Sequence, residues 1–215
     1  MPPPCPPPFD DGFRRHLHTL FCWRRDVRHF RTDPLPALLQ ARLLASCALA
    51  PSVGLSEPWR LVAVDDPDRR AAVRRNFLAS NHLAQQAVQA GRAQDYARLK
   101  LAGLDQAPWH LAVFCESDPA QGGGLGRQSM PETLAFSAVM AIHTLWLAAR
   151  AEGVGLGWVS ILDAGTMTSI LDVPPEWRFI AYLCLGYPAA EDDVPELERA
   201  GWEVRGASGA AVLQR

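Results

Sequence analysis

At 215 residues, 48 % hydrophobic and 20 % charged, the chain is long enough for one domain with a substantial core and has an ordinary globular make-up. A formal net charge of −2 argues against a nucleic-acid or membrane surface as the expected partner, so any anion site must be local. Five cysteines (Cys5, Cys22, Cys47, Cys115, Cys184) never form a C-x-x-C pair, and six histidines show no paired metal-ligand spacing; this predicts a reduced, cytoplasmic setting without disulfides or a metal.

In chain order, MPPPCPPP reads as a disordered, proline-rich tail over 1–9, without the charged and apolar regions of a secretory signal. Asp10 or Asp11 caps a helix running to about Trp23. CWRRDVRHF follows at 22–30. A second helix covers 35–50 and stops at Pro51. PSVGLSEPW is a loop, RLVAV (60–64) a strand, and a helix runs from the DDPDR turn to about Ala90. A short helix is predicted at 96–101, then a buried strand in WHLAVFCE. DPAQGGGLGRQSM is a flexible loop.

The helix from about Pro131 to Glu152 is stopped by Gly153 and Gly155. It is apolar nearly all round but short, and flanked by charge, so it reads as a helix buried in the protein or at a subunit contact rather than a membrane span. Strands GLGWVSIL (155–162) and RFIAYLCLGY (178–187) enclose a short helix, AGTMTSILD. The chain closes with a polar, irregular arm to Arg205 and a flexible tail, 206–215. Helices and strands are interspersed, so 10–205 is read as a single α+β domain.

Three stretches could carry chemistry. Arg24, Arg25 and Arg28 surround Asp26; guanidinium groups bind phosphate in bidentate fashion, although such a trio is also a common solvated helix end. Asp26, beside positive charge, is expected to stay ionised and to be available as a base or proton relay. The loop after Pro51 offers backbone N–H groups and hydroxyls to a planar polar ligand, or is a plain connection. Gly153, Gly155 and Gly157 are spaced G-x-G-x-G behind a helix, which fails the dinucleotide fingerprint of strand, glycines, then helix.

Together these stretches resemble the flavin-dependent nitroreductase-like superfamily, whose members carry R-R-S-x-R-x-F, then A-P-S-x-x-N-x-Q-P-W, then G-L-G-x-x. Here they read RRDVRHF (24–30), APSVGLSEPWR (50–60) and GVGLGWVSIL (153–162), and the likeness runs over about 13–205. Asp26 replaces the expected serine, and the asparagine of the second motif is replaced within SVGLSEPW. With YARLKLAGLDQAP (96–108), MPET (130–133) and GWVSIL (157–162), these departures resemble the 5,6-dimethylbenzimidazole synthase branch.

The resemblance implies a central, mainly antiparallel sheet flanked by helices, and a homodimer with FMN bound between subunits. It implies that reduced FMN and O2 are consumed to form 5,6-dimethylbenzimidazole, the lower ligand of vitamin B12, with erythrose 4-phosphate released. A separate flavin reductase would supply the reduced FMN. Asp26 and Ser160 would be catalytic; Arg24, Arg25, Asp26, Val27, Arg28, Ser52, Leu101, Ser160 and Arg205 would contact the flavin. The rival reading is an NAD(P)H-dependent nitroreductase that recycles FMN, and a third is a non-catalytic flavin-binding protein.

Overall fold

In the computed structural model, which describes residues 9–87, 102–206 and 212–215, four strands form one antiparallel sheet in the order β1-β2-β4-β3. The strands are β1 (Trp59–Ala63), β2 (Trp109–Glu116), β3 (Gly155–Val159) and β4 (Trp177–Gly186). The helices are α1 (Asp11–Trp23), α2 (Ala37–Ser46), α3 (Pro67–Ala87), α4 (Gly103–Gln106), α5 (Thr133–Ala151), α6 (Ala164–Leu171) and α7 (Glu196–Arg199). The expected α+β architecture is borne out. The proline-rich stretch 1–8, the predicted helix at 96–101 and Leu101 itself lie outside the described residues.

β2 sits between β1 and β4, and both of its faces are covered, which is why its sequence is an unbroken apolar run. Alternation divides it. Trp109, Leu111, Val113 and Cys115 join the core under α2 and α5, while Ala112 and Phe114 join Val73, Phe77, Met167 and Leu171 of α3 and α6 on the other face. The sheet is thus the middle of three layers. Truncating Phe114, fully buried here, to alanine would cost about 3–5 kcal/mol.

α5 explains its own odd composition. Leu134, Ala138, Ala141, Ile142, Leu145 and Ala149 form the face buried against the sheet, and Phe136, Val139 and Met140 form a second apolar stripe that is exposed. By length and composition alone the helix would pass for a membrane span, but it packs as a core helix of the sheet.

Some boundaries differ from expectation. β3 ends at Val159 because residues 160–162 leave the sheet toward Asp163, whose carboxylate caps α6 by accepting from Gly165 N–H at 3.0 Å. The acidic arm is not irregular throughout, since it contains the short helix α7.

Candidate active site

The arginine-rich segment is positioned by the edge of β3. α1 is capped by Asp10, which accepts from Phe13 N–H at 2.8 Å, and it ends at Trp23, after which Arg24 turns extended. Asp26 then pairs in parallel with Leu156, and Val27 N–H donates to Leu156 O at 3.1 Å. Further on, Phe30 pairs with Pro188 and Arg31 N–H donates to Tyr187 O at 2.8 Å.

So close an approach needs bare backbone on β3. A Cβ at Gly157 would collide with the Val27 carbonyl oxygen, and one at Gly155 would stand 2.8 Å from Val27 Cγ2. The G-x-G spacing is the period of a strand, placing both glycines on one face. Its purpose is to let a second chain segment lie down.

Asp26 is held across this contact. Its Oδ1 accepts from Trp158 N–H at 2.9 Å, while Oδ2 lies 3.4 Å from Arg28 Nε, a long contact for a charge-assisted bond. Burial pushes the Asp26 pKa up; the Trp158 N–H and Arg28 pull it down, and Glu196 adds to the rise. The sequence argument weighed only the neighbouring positive charge. Loss of water outweighs that charge here.

The arginines divide their duties. Arg25 donates from Nε to Asp193 O at 2.8 Å, from a second nitrogen to the same oxygen, and from a third to Arg24 O at 2.9 Å. It fastens the segment to the acidic arm. The Arg24 guanidinium lies 4.9 Å over the Trp146 ring and makes no hydrogen bond among the described residues. Burial lowers the pKa of Arg24, and the nearby charges of Arg25 and Arg205 lower it further. Three cations are therefore crowded together, and Arg24 keeps donors to spare. A phosphomonoester would relieve that crowding, so these residues fit the phosphate end of FMN.

The arm that returns Arg205 to this cluster is pinned along its length. Arg150 grips Glu191 with two bonds at 2.9 and 3.1 Å, Arg199 meets Asp192 at 3.3 Å, and His29 faces Glu196 at 3.8 Å. Between arm and segment lies a cavity of about 270 Å³ lined by Asp26, Arg28, Trp146, Glu191 and Glu196 among others.

Ser160 follows Trp158 by two residues, at the end of β3, exposed and with a hydroxyl that makes no hydrogen bond among the described residues. Strand rise puts it about 6–7 Å from the backbone that Asp26 grips. Ser52 is elsewhere. Its Oγ accepts from Glu57 N–H at 3.1 Å within its own loop, and the loop is tied to α5 by Val53 N–H donating to Ser137 Oγ at 3.0 Å. That loop leads into β1, at the opposite edge of the sheet from β3, about 14 Å away across three strand spacings. Ser52 and Arg24 therefore do not meet within one chain.

Sequence reasoning missed Trp146, whose Nε1 donates to Arg25 O at 3.1 Å, and Arg150, whose guanidinium also stacks 5.7 Å over Trp23. Their spacing of four residues, one helical turn, was the available signal.

The nitroreductase family profile matches residues 22–187 of this chain. The chain is 58 % identical over 200 residues to a 5,6-dimethylbenzimidazole synthase of Rhodospirillum rubrum, covering 93 % of this chain and 94 % of that protein. It is 53 % identical over 195 residues to a 5,6-dimethylbenzimidazole synthase of Rhodobacter capsulatus, covering 91 % and 94 %. In fold it resembles the crystal structure of oxidised iodotyrosine deiodinase bound to FMN and 3-iodo-L-tyrosine, with a TM-score of 0.71 at 22 % identity over 92 % of this chain and 97 % of that one.

Proposed function

The chain belongs to the nitroreductase family and is an enzyme of the 5,6-dimethylbenzimidazole synthase type; from that premise we propose that it forms the benzimidazole by oxygen-dependent fragmentation of reduced FMN, with erythrose 4-phosphate as the other fragment named. The observation that carries this reading is Asp26, a half-buried carboxylate set among guanidinium groups with one oxygen bonded and the other in only a long contact. Carboxylates with raised pKa in a cleft gather where protons must be moved.

When bound, the reduced flavin supplies both the electrons and the ring carbons of the product. Arg24 and Arg205 hold its phosphate, and Val27 and Arg28 flank it along the segment beside β3. Asp26 takes and returns protons at Oδ2, with Oδ1 anchored to Trp158 N–H so that the acceptor atom stays aimed. Ser160 Oγ donates a hydrogen bond from the end of β3. Arg25 acts by keeping the arm that carries Arg205 in place.

Ser52 and Leu101 complete the flavin contacts in this reading, Ser52 from the other subunit of a homodimer. Two observations support the dimer. The Ser52 loop and the arginines lie at opposite sheet edges, and the stripe of Phe136, Val139 and Met140 on α5 leaves apolar area in water. A separate flavin reductase supplies reduced FMN. Cys22, Cys47, Cys115 and Cys184 are free thiols, which supports a cytoplasmic setting.

The test is incubation with chemically reduced FMN in air and mass analysis of the products. 5,6-Dimethylbenzimidazole is expected. Recovery of all the flavin as oxidised FMN, together with turnover when NAD(P)H is the donor, would instead establish the nitroreductase reading.

A further inference from the structure

α1 is an amphipathic helix in which no residue is buried. Phe13, Leu17, Leu20 and Trp23, at spacings of four, three and three, form an apolar stripe along one side. Phe13 and Trp23 are exposed, and Leu17 and Leu20 are only half-buried. Nothing among the described residues covers this stripe along its length.

The stripe floors an open groove of about 650 Å³ between α1 and the C-terminal end of α5. His16 stands at its rim, and Arg150 and Glu191 close its far side. Trp23, Arg150 and Glu191 also line the cavity beside Asp26, so the groove runs along the outer side of the active-site wall.

The chain carries a segment of matching chemistry at the mouth of this groove. Phe9 rests on Phe13 with ring centroids 4.8 Å apart, and its carbonyl accepts from the Arg14 guanidinium. That contact fixes where the preceding stretch, 1–8, enters. A segment tethered there meets the groove at an effective concentration on the order of millimolar. Six of its eight residues are proline, whose fixed φ favours the polyproline II helix and lowers the entropy lost on docking. Apolar grooves lined by aromatic rings are what such helices bind.

The dimensions agree. Eight residues span roughly 25 Å at about 3.1 Å each, and Phe13 to Trp23 is about 15 Å along α1. Three residues per turn put Pro6 and Pro3 on the same side as Phe9. A second copy fits less well, because the exposed apolar stripe on α5 ends at Met140, about 15 Å along that helix from Arg150.

We propose that residues 1–8 lie along this groove as a polyproline II segment, with Pro6 against Leu17 and Leu20 and Pro3 against Trp23, and so brace the outer wall of the active-site cavity. The proposal does not depend on which flavin chemistry the cavity performs.

The test is thermal unfolding of the full chain without flavin, comparing Pro3→Ser/Pro6→Ser with Pro4→Ser/Pro7→Ser. Either pair loosens the unfolded chain to the same extent, so the difference between them reports the contact. The first pair should melt about 2–4 °C below the second. Leu17→Gln should abolish that difference, since the contact is already lost, and Leu17→Met should keep it. Cys5 gives a second readout. Its alkylation by N-ethylmaleimide, followed by the mass of the N-terminal peptide, should be about 5–10-fold slower in the wild type than in Pro3→Ser/Pro6→Ser.

Equal midpoints in the two proline pairs would overturn the docking, as would a difference that survives Leu17→Gln or equal alkylation of Cys5. Equal midpoints together with a loss of self-association in Leu17→Gln, read by sedimentation, would assign the groove to a second copy instead.

Discussion

His110 and Asp26 are ionisable groups beside one sheet, the first sealed from water and the second only half-buried, and the protein treats them in opposite ways. His110, on β2, has both ring nitrogens satisfied. Its Nε2 lies 3.1 Å from Ala107 O, a pure acceptor, so Nε2 carries the hydrogen, and Nδ1 accepts from the Tyr182 hydroxyl at 2.8 Å. Burial pushes its pKa down to about 4, with the charge of Arg70 adding to the fall. Asp26, at the β3 edge, has one firm bond and one long contact. A fully satisfied buried pair stiffens a core, whereas a half-satisfied carboxylate beside a cavity keeps an atom available for a substrate.

The sharpest way to break this contrast is to exchange roles. Asp26→Asn keeps the shape and can still accept from Trp158 N–H, but cannot take up a proton. Formation of 5,6-dimethylbenzimidazole should fall about 10²–10⁴-fold, the usual contribution of a general acid or base, with FMN affinity largely kept. Tyr182→Phe should leave turnover per folded molecule unchanged. The contrast fails if the two variants behave alike.

Acid stability tests the same pair next. His110 has a folded pKa of about 4 against an ordinary value of 6.5, so between those pH values the unfolded chain binds the extra proton. Stability should therefore decline as pH falls through this window, by about 3 kcal/mol in all. Urea unfolding of the ligand-free protein at stepped pH reads it. Asp26 contributes with the opposite sign: its folded pKa is raised above the unfolded value, so the native state holds the extra proton between the two. A curve flat from pH 6.5 to 4 in Asp26→Asn, where the opposing proton uptake is removed, would show that His110 is not sealed.

Arg24 and Arg25 carry the contrast to neighbouring residues. Arg24→Ala should weaken FMN relative to riboflavin by about 1.5–3 kcal/mol, the worth of a charge-assisted hydrogen bond, because only FMN carries the phosphate. Arg25→Ala should also weaken FMN more than riboflavin but by less than Arg24→Ala, since Arg25 reaches the phosphate only through the arm that carries Arg205. Titration of each ligand into each variant would show it. Smallest of all, Ser160→Ala should slow product formation by about 2–10-fold, as one neutral hydrogen bond is lost.

Much of the fold was legible because its signals are local. The buried run of WHLAVFCE, the cap at Asp10 and the apolar length of α5 each depend on neighbours within a few residues. The site was legible only as a set of segments. That Arg25 is occupied, while Arg24 makes no hydrogen bond among the described residues and lies over Trp146, depends on where the carbonyl of Asp193, 168 residues away, and that ring are placed. That burial outweighs the arginine charges at Asp26 depends on how β3 packs, and no count of nearby charges reveals it. The glycines of β3 could be excluded as a dinucleotide fingerprint, but their partner, Val27, is distant in sequence. The loop at Ser52 has the right composition, and only the strand order puts it at the far edge.

The pairing of Asp26 with the Trp158 backbone spans 132 residues, and it also sets an order of events in folding. The arginine segment is among the first parts made during synthesis but has no edge to lie against until β3 exists. At 5–20 residues per second the wait is roughly 7–26 s. A contact that closes so long a loop recovers its entropy only once the sheet is in place. The arginine segment therefore docks only after the strand it lies against has been made.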